Sequence, residues 1–209
     1  MVQVKKPAQR EAILKRAFQL FARKGFKKTT MAEIAAASNM TVANIYVYFP
    51  SKLHLLYDIY RPLLKGQLEA LAEEVRHIEA PRDKLRRIFN GVWSAIPAEN
   101  NGFANNLMQA LADEAPGRGK VSDLLSWCEK FLTELVRDSL PPDRKSLVDD
   151  QRLAHLTWMA FDGFVINWRL GDIRDTEGIV ELVCDLLLGE AAAQTVPATR
   201  PAARRVTAR

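Results

Sequence analysis

The stretch from Thr30 to Lys52, TMAEIAAASNMTVANIYVYFPSK, constrains the fold more than any other part of the chain. It reads as two short helices joined by a tight turn and followed at once by the start of a third. Ile34 and Ala35 form the inward face of the first helix and Ile45 that of the second. Asn39 stands where the turn needs a residue that tolerates positive φ. Thr41 can cap the second helix through its hydroxyl. The face left outward then carries Thr41, Val42, Asn44, Tyr46 and Val47. A helix entering the major groove needs side chains of this kind, short enough for close approach and polar enough to meet base edges and phosphates.

The flanks support that module. A helix over 9–24 places Ile13, Ala17, Leu20 and Phe21 on one face, with Leu14 and Phe18 beside them and Gly25 as its stop. Thr29 or Thr30 caps the next helix, whose inward residues include Met31. Pro50-Ser51 ends the reading helix, and Ser51 caps a long one carrying Leu53, Leu56, Ile59, Leu63 and Leu64 toward His77. Pro62 predicts a kink there, and with it a hinge between head and body. Beyond Pro81 the pattern stays helical, near 82–97, 103–115, 121–139, 146–170 and 174–190, with no convincing strand or internal repeat.

Charge is distributed unevenly. Residues 1–55 hold ten Lys or Arg against Glu11 and Glu33, a net +8, so the remainder carries −3 of the chain's total +5. A basic head on a slightly acidic body suits a polyanion at one end only. The hydrophobic share of 48% suffices for a real core. Cys128 and Cys184 lie far apart in apolar helical patterns and read as reduced core residues of a cytoplasmic protein. No stretch approaches the roughly twenty apolar residues a membrane span needs, and MVQVKKPAQR has no apolar signal core. There is no metal cluster, nucleophile motif or phosphate-binding glycine loop, which argues against an enzyme or a bound cofactor.

Three segments together resemble the TetR (tetracycline-repressor-like) family of transcriptional regulators: REAILKRAFQLFARKGF at 10–26, TTMAEIAAASNMTVANIYVYF at 29–49 and SKLHLL at 51–56. The run Tyr46-Val47-Tyr48-Phe49 followed by Ser51-Lys52 is the most specific part. Asn39 departs from the glycine usual in the family's turn, and Ala43-Asn44 from a Gly-Thr-like pair, so Asn44 bears on which bases are read. The resemblance implies an all-α fold. An N-terminal three-helix helix-turn-helix domain at 1–52 would precede a helical effector-binding and dimerisation domain at 53–190, and 191–209 reads as a disordered basic tail.

Phosphate contacts need cations or hydroxyl donors around the reading helix, whereas sequence reading needs side chains in the groove. Lys28, Thr30, Tyr46, Tyr48 and Lys52 are the phosphate candidates, and the resemblance matches Thr30, Tyr48 and Lys52 to backbone-contacting positions. Thr41, Val42, Asn44 and Tyr46 are the base-edge candidates, Asn44 through its amide to adenine and Val42 through a thymine methyl. Thr30 and Thr41 also serve as caps whether or not they touch DNA, Tyr46 divides evenly between groove and core, and Phe49 reads as core.

In the body, Leu153, Thr157, Ala160, Phe161, Phe164 and Trp168 make one apolar stripe flanked by His155, Met159 and Ile166, and the helix over 174–190 is apolar nearly all round. Both predict half of a four-helix homodimer seam, an arrangement the resemblance also implies. Two reading heads about one DNA turn (roughly 34 Å) apart would then fit a pseudo-palindromic double-stranded operator. Phe89, Trp93, Phe103, Trp127, Phe131, His155, Trp158 and Asp162 combine aromatic bulk with a few polar groups and form the candidate pocket for a small, largely apolar effector. His155 reads first as a hydrogen-bonded core or seam residue and only second as a ligand contact. The expected function is a ligand-responsive repressor. Its rivals are a sequence-tolerant architectural DNA-binding protein and an all-α ligand carrier or enzyme, neither of which accounts for residues 29–52.

Overall fold

The chain was analysed as a computed structural model, which describes residues 6–99, 103–112, 122–171 and 176–190. The sequence readings of 113–115, of the Pro116–Gly119 connection and of the 191–209 tail lie outside them.

Three helices make the head: α1 (Pro7–Lys28), α2 (Met31–Ala37) and α3 (Val42–Tyr48). Two of these are only seven residues long and could not persist alone in water. They are held by a shared core and by their caps. Ile13, Ala17 and Phe21 of α1 meet Ile34 and Ala35 of α2 and Ile45 of α3, with Phe49 sealing the base, all fully buried. Asn39 takes φ 54° between α2 and α3, the left-handed conformation expected of it. The helical assignment of α1 passes through Gly25, but φ 82° and ψ 165° break the geometry there, as a glycine stop should. Five residues, 26–30, then turn the chain into α2.

The long α4 (Lys52–Arg76) leaves the head and continues through Pro62, whose missing N–H leaves one rung of the helical ladder open. Around it stand α5 (Pro81–Asn90), α6 (Ile96–Glu99), α7 (Phe103–Leu111), α8 (Ser122–Ser139), α9 (Arg152–Leu170) and α10 (Thr176–Leu188). In the packing, α5 lies between α4 and α10, α8 lies against α9, and α7 crosses to α1. Arg82 of α5 pairs with Glu181 and Asp185 of α10 and with Glu190 just beyond it, and Arg86 pairs with Glu181. This network clamps the last helix to the body. It also holds the Glu181 carboxyl below its usual range, chiefly through Arg86.

Two expected helices differ. The one read at 82–97 is interrupted by a π-helical segment, Gly91–Ala95, where the wider turn carries an extra residue. It sits where α4 comes close: a Cβ on Gly91 would lie 2.6 Å from the Leu71 side chain. The helix read at 146–170 begins only at Arg152. The Asp150 carboxylate accepts the Arg152 N–H at 3.0 Å and closes a local turn that competes with an earlier start, and Pro142–Val148 forms a 3-10 segment instead.

Cys128 and Cys184 are buried and free, and burial pushes their thiols up to about 12 and about 11, so both stay protonated. Among the described residues no helix is long and apolar enough to cross a membrane.

Candidate functional site

The outward face of α3 is organised by the residues beneath it. Ile45 and Tyr48 point into the head core, which leaves Val42, Tyr46 and Val47 at 38%, 50% and 36% exposure and Asn44 half-exposed beside them. Thr41 is exposed, and its hydroxyl accepts the Asn44 N–H at 3.2 Å, so it caps α3 from the same face. Five uncharged side chains thus stand together on one short helix, with the backbone N–H groups of its first turn beside them.

Thr30 and Lys28 flank this face, and both are exposed. Thr30 builds a capping box with Glu33: its hydroxyl accepts the Glu33 N–H at 3.2 Å, and the Glu33 carboxylate accepts the Thr30 N–H at 2.9 Å. Lys24 also pairs with Glu33, and these contacts hold its carboxyl down at about 2, the lysine hydrogen bond being the largest cause. Ser51 caps α4 by accepting the His54 N–H at 3.3 Å.

Two of the expected phosphate contacts are occupied by the protein itself. Tyr48 is 7% exposed; its hydroxyl donates to Gln9 Oε1 at 2.6 Å and accepts the Lys6 N–H at 3.2 Å. It therefore ties α3 to the start of α1. Lys52 does not reach outward from the first turn of α4. Its Nζ donates to the carbonyls of Phe26 and Thr29 at 2.8 and 2.9 Å and lies 4.1 Å from the Phe26 ring centroid. The ammonium thus caps carbonyls at the end of α1, after the break at Gly25.

Sequence reasoning missed a link between head and body. Asn106 of α7 is 2% exposed. Its Oδ1 accepts the Phe26 N–H at 2.9 Å, and its Nδ2 donates to the Tyr60 hydroxyl of α4 at 3.3 Å. One turn on, Gln109 Oε1 accepts the Lys27 N–H at 3.1 Å and lies 3.1 Å from where a Cβ on Gly25 would stand. These are backbone donors orphaned by the Gly25 break. They are satisfied from 80 residues away, so no local signal could have revealed them.

Among the described side chains, the candidate pocket residues are spread over several places and do not come together. Phe89 and Trp93 are buried with ring centroids 5.0 Å apart, and the Trp93 indole donates to the Thr157 carbonyl at 3.0 Å, which makes them a core pair. Trp127 and Phe131 stack at 4.9 Å and are partly buried, with Phe131 on the wall of a 290 Å³ groove between α4 and α8. His155 is exposed and pairs with Glu129 at 2.6 Å beside an open hollow bounded by Leu156 and Met159. Asp162 is also exposed. Trp158 packs edge-on to Phe161, with its indole nitrogen buried and unpartnered. The Phe103 side chain lies outside the described residues. The stripe along α9 could not be divided between core and surface by periodicity, since both faces are apolar.

A basic three-helix head with an uncharged reading face, set on a separate helical body, defines a helix-turn-helix DNA-binding protein. Residues 13–59 match the family described as bacterial regulatory proteins, tetR family. That match covers the head, and over most of its length the chain is similar to transcriptional regulators. It is 26% identical to the HTH-type transcriptional repressor KstR of Rhodococcus jostii (strain RHA1) over 196 residues, covering 87% of this chain and 84% of that protein. It is 19% identical to the fatty acid metabolism regulator protein of Bacillus subtilis (strain 168) over 178 residues, covering 84% and 92%. Among solved structures, Thermus thermophilus FadR, a TetR-family repressor in complex with lauroyl-CoA, matches with TM-score 0.59 at 24% identity, covering 92% of this chain and all of that one.

Proposed function

We propose that the chain is a homodimeric repressor that reads a pseudo-palindromic operator through α3 and is released by a small, largely apolar effector. The observation that carries the DNA reading is the outward face of α3: Thr41, Val42, Asn44 and Tyr46 are presented together while Ile45 and Tyr48 anchor the helix from below. In this reading those four meet the groove, and Lys28 and Thr30 meet phosphates. Tyr48 and Lys52 set the position of the reading helix from within the protein. The head ends near residue 52, the body spans 53–190, and Pro62 supplies the hinge. The activity is binding, with no catalytic step.

Dimerisation is supported by what one chain leaves on water. Leu156, Met159, Ile166 and Leu170 of α9 and Ile179, Leu182 and Leu186 of α10 are 45–75% exposed at steps of three, four or seven residues, which keep to one helix face. A monomer rarely carries so continuous an apolar surface, whereas a second copy about a twofold axis covers it with the same residues. The effector reading draws on the relatives. One is named a fatty acid metabolism regulator and another was solved with lauroyl-CoA, so acyl chains are the first candidates here. An effector can release DNA only by binding the released conformation more tightly than the operator-bound one.

Selection of bound fragments from random DNA tests the reading. A twofold-symmetric site should emerge and be bound at least about a thousandfold more tightly than random DNA at the same salt. Enrichment without a symmetric motif would point instead to an architectural protein.

A further inference from the structure

One edge of α4 has chemistry that the fold does not use. Tyr57, Arg61 and Lys65 follow one another at one-turn spacing and so share a single edge of the helix. The Lys65 Nζ lies 4.2 Å from the ring centroid of Trp127, which shows that this edge faces α8. Tyr57 is 9% exposed, and its hydroxyl has no hydrogen-bond partner; burial pushes that phenol up to about 12, so it stays a donor. The Arg61 Nε is likewise buried and unpartnered. Among the described residues no carboxylate pairs with Arg61 or with Lys65. Folded proteins seldom leave one buried donor unsatisfied, and here two lie within a turn of each other beside an uncompensated cation.

The same edge becomes apolar farther from the head. There α4 supplies Ala72 and Val75 and α8 supplies Phe131 and Leu135 to the 290 Å³ groove, and the contacts of Lys65 with Trp127 and of Trp127 with Phe131 lead from the cationic edge to its wall. The groove's own charges balance, Arg76 and Lys84 against Glu134 and Asp138, so the excess positive charge sits at the head-proximal end. We infer that Tyr57, Arg61 and Lys65 form the anion-binding end of the effector site, taking a carboxylate or phosphate whose apolar tail lies along Phe131 and Leu135. Two charge-assisted contacts and a phenolic donor would meet such a group, and its charge would compensate the unpaired cations. The assignment rests on the effector reading above and deepens it. It also places the ligand's charge on the stretch of α4 that includes Tyr60, the partner of Asn106.

Calorimetric titration of the full-length protein tests this with dodecanoate, lauroyl-CoA, CoA and dodecanol. The two anionic acyl probes should bind, dodecanol about tenfold or more weakly and CoA weakly or not at all. Preference for dodecanoate would assign the site to a carboxylate, and preference for lauroyl-CoA to a phosphate. R61Q and K65Q should each lose about tenfold affinity for the anionic probes, Y57F several-fold, while R61K keeps most of it. Operator binding without effector should be unchanged in all four variants, which shows that they fold. If R61Q and K65Q bind as tightly as wild type, or if dodecanol binds as tightly as dodecanoate and lauroyl-CoA, the assignment is overturned while the effector reading stands. If the wild type binds operator but no acyl probe, the acyl-effector reading fails and this assignment with it.

Discussion

Asn39 shows how much one backbone angle can determine. At φ 54° it turns α2 into α3, and the Met40 N–H reaches the Ala35 carbonyl at 2.9 Å only because the chain reverses there. Asn39→Ala should cost about 1 kcal/mol in urea unfolding, because a Cβ is disfavoured in the left-handed region, while Asn39→Gly should be neutral or better. An equal loss for both would mean that the Asn side chain, not the angle, matters. Glu33 supports a pH prediction. Its carboxyl sits at about 2 against an ordinary 4.5, so its contribution is complete above about 4.5 and is lost as pH falls toward 2. Glu33→Gln should therefore lower stability at pH 7 and flatten the acid limb between those values, so that variant and wild type converge as pH falls toward 2. An unaltered acid limb would remove Glu33 from the account. Asn39 and the caps at Thr30, Thr41 and Ser51 were legible in the sequence because their chemistry spans three or four residues. The internal partners of Tyr48 and Lys52, Gln9 and the Phe26 and Thr29 carbonyls, were not legible because they come from elsewhere in the chain.

At the level of the elements, α7 is the piece whose importance exceeds its length. Asn106 bridges the Phe26 N–H and the Tyr60 hydroxyl, so a single side chain joins α1, α4 and α7. Asn106→Leu removes the acceptor of the buried Phe26 N–H and the donor to the Tyr60 hydroxyl and should cost about 1–3 kcal/mol. If α7 sets the head's position, the variant should also shift operator affinity beyond what its stability loss explains. A purely proportional change would make Asn106 structural only. The sequence showed α7 as a helix but not its role, since that depends on a break at Gly25 whose orphaned amides are answered from 80 and 82 residues away. The π-helical segment was hidden for another reason: one inserted residue shifts the apolar phase without erasing it.

The whole molecule depends on a surface that a single chain leaves unfinished. Met159→Glu with Leu186→Glu would place charges in the middle of the apolar strip on α9 and α10. Sedimentation should then report a monomer at micromolar concentration, and operator affinity should fall by about a hundredfold or more as the linkage of two heads is lost. A dimer surviving both changes would put the twofold seam elsewhere. The sequence already showed that these helices were too apolar for a solvent face. It could not assign the aromatic residues, because Trp93 is a core residue by virtue of a carbonyl on Thr157, and Phe131 is a groove wall by virtue of α4.

The caps at Thr30, Thr41 and Ser51, spaced across about six turns of chain, give the front of the protein part of its rigidity on the spot. A messenger docking in the rear can tilt or shift that block as one piece, yet has no handle with which to reshape it. Such a regulator would change how often its address is visited while the address itself stays the same.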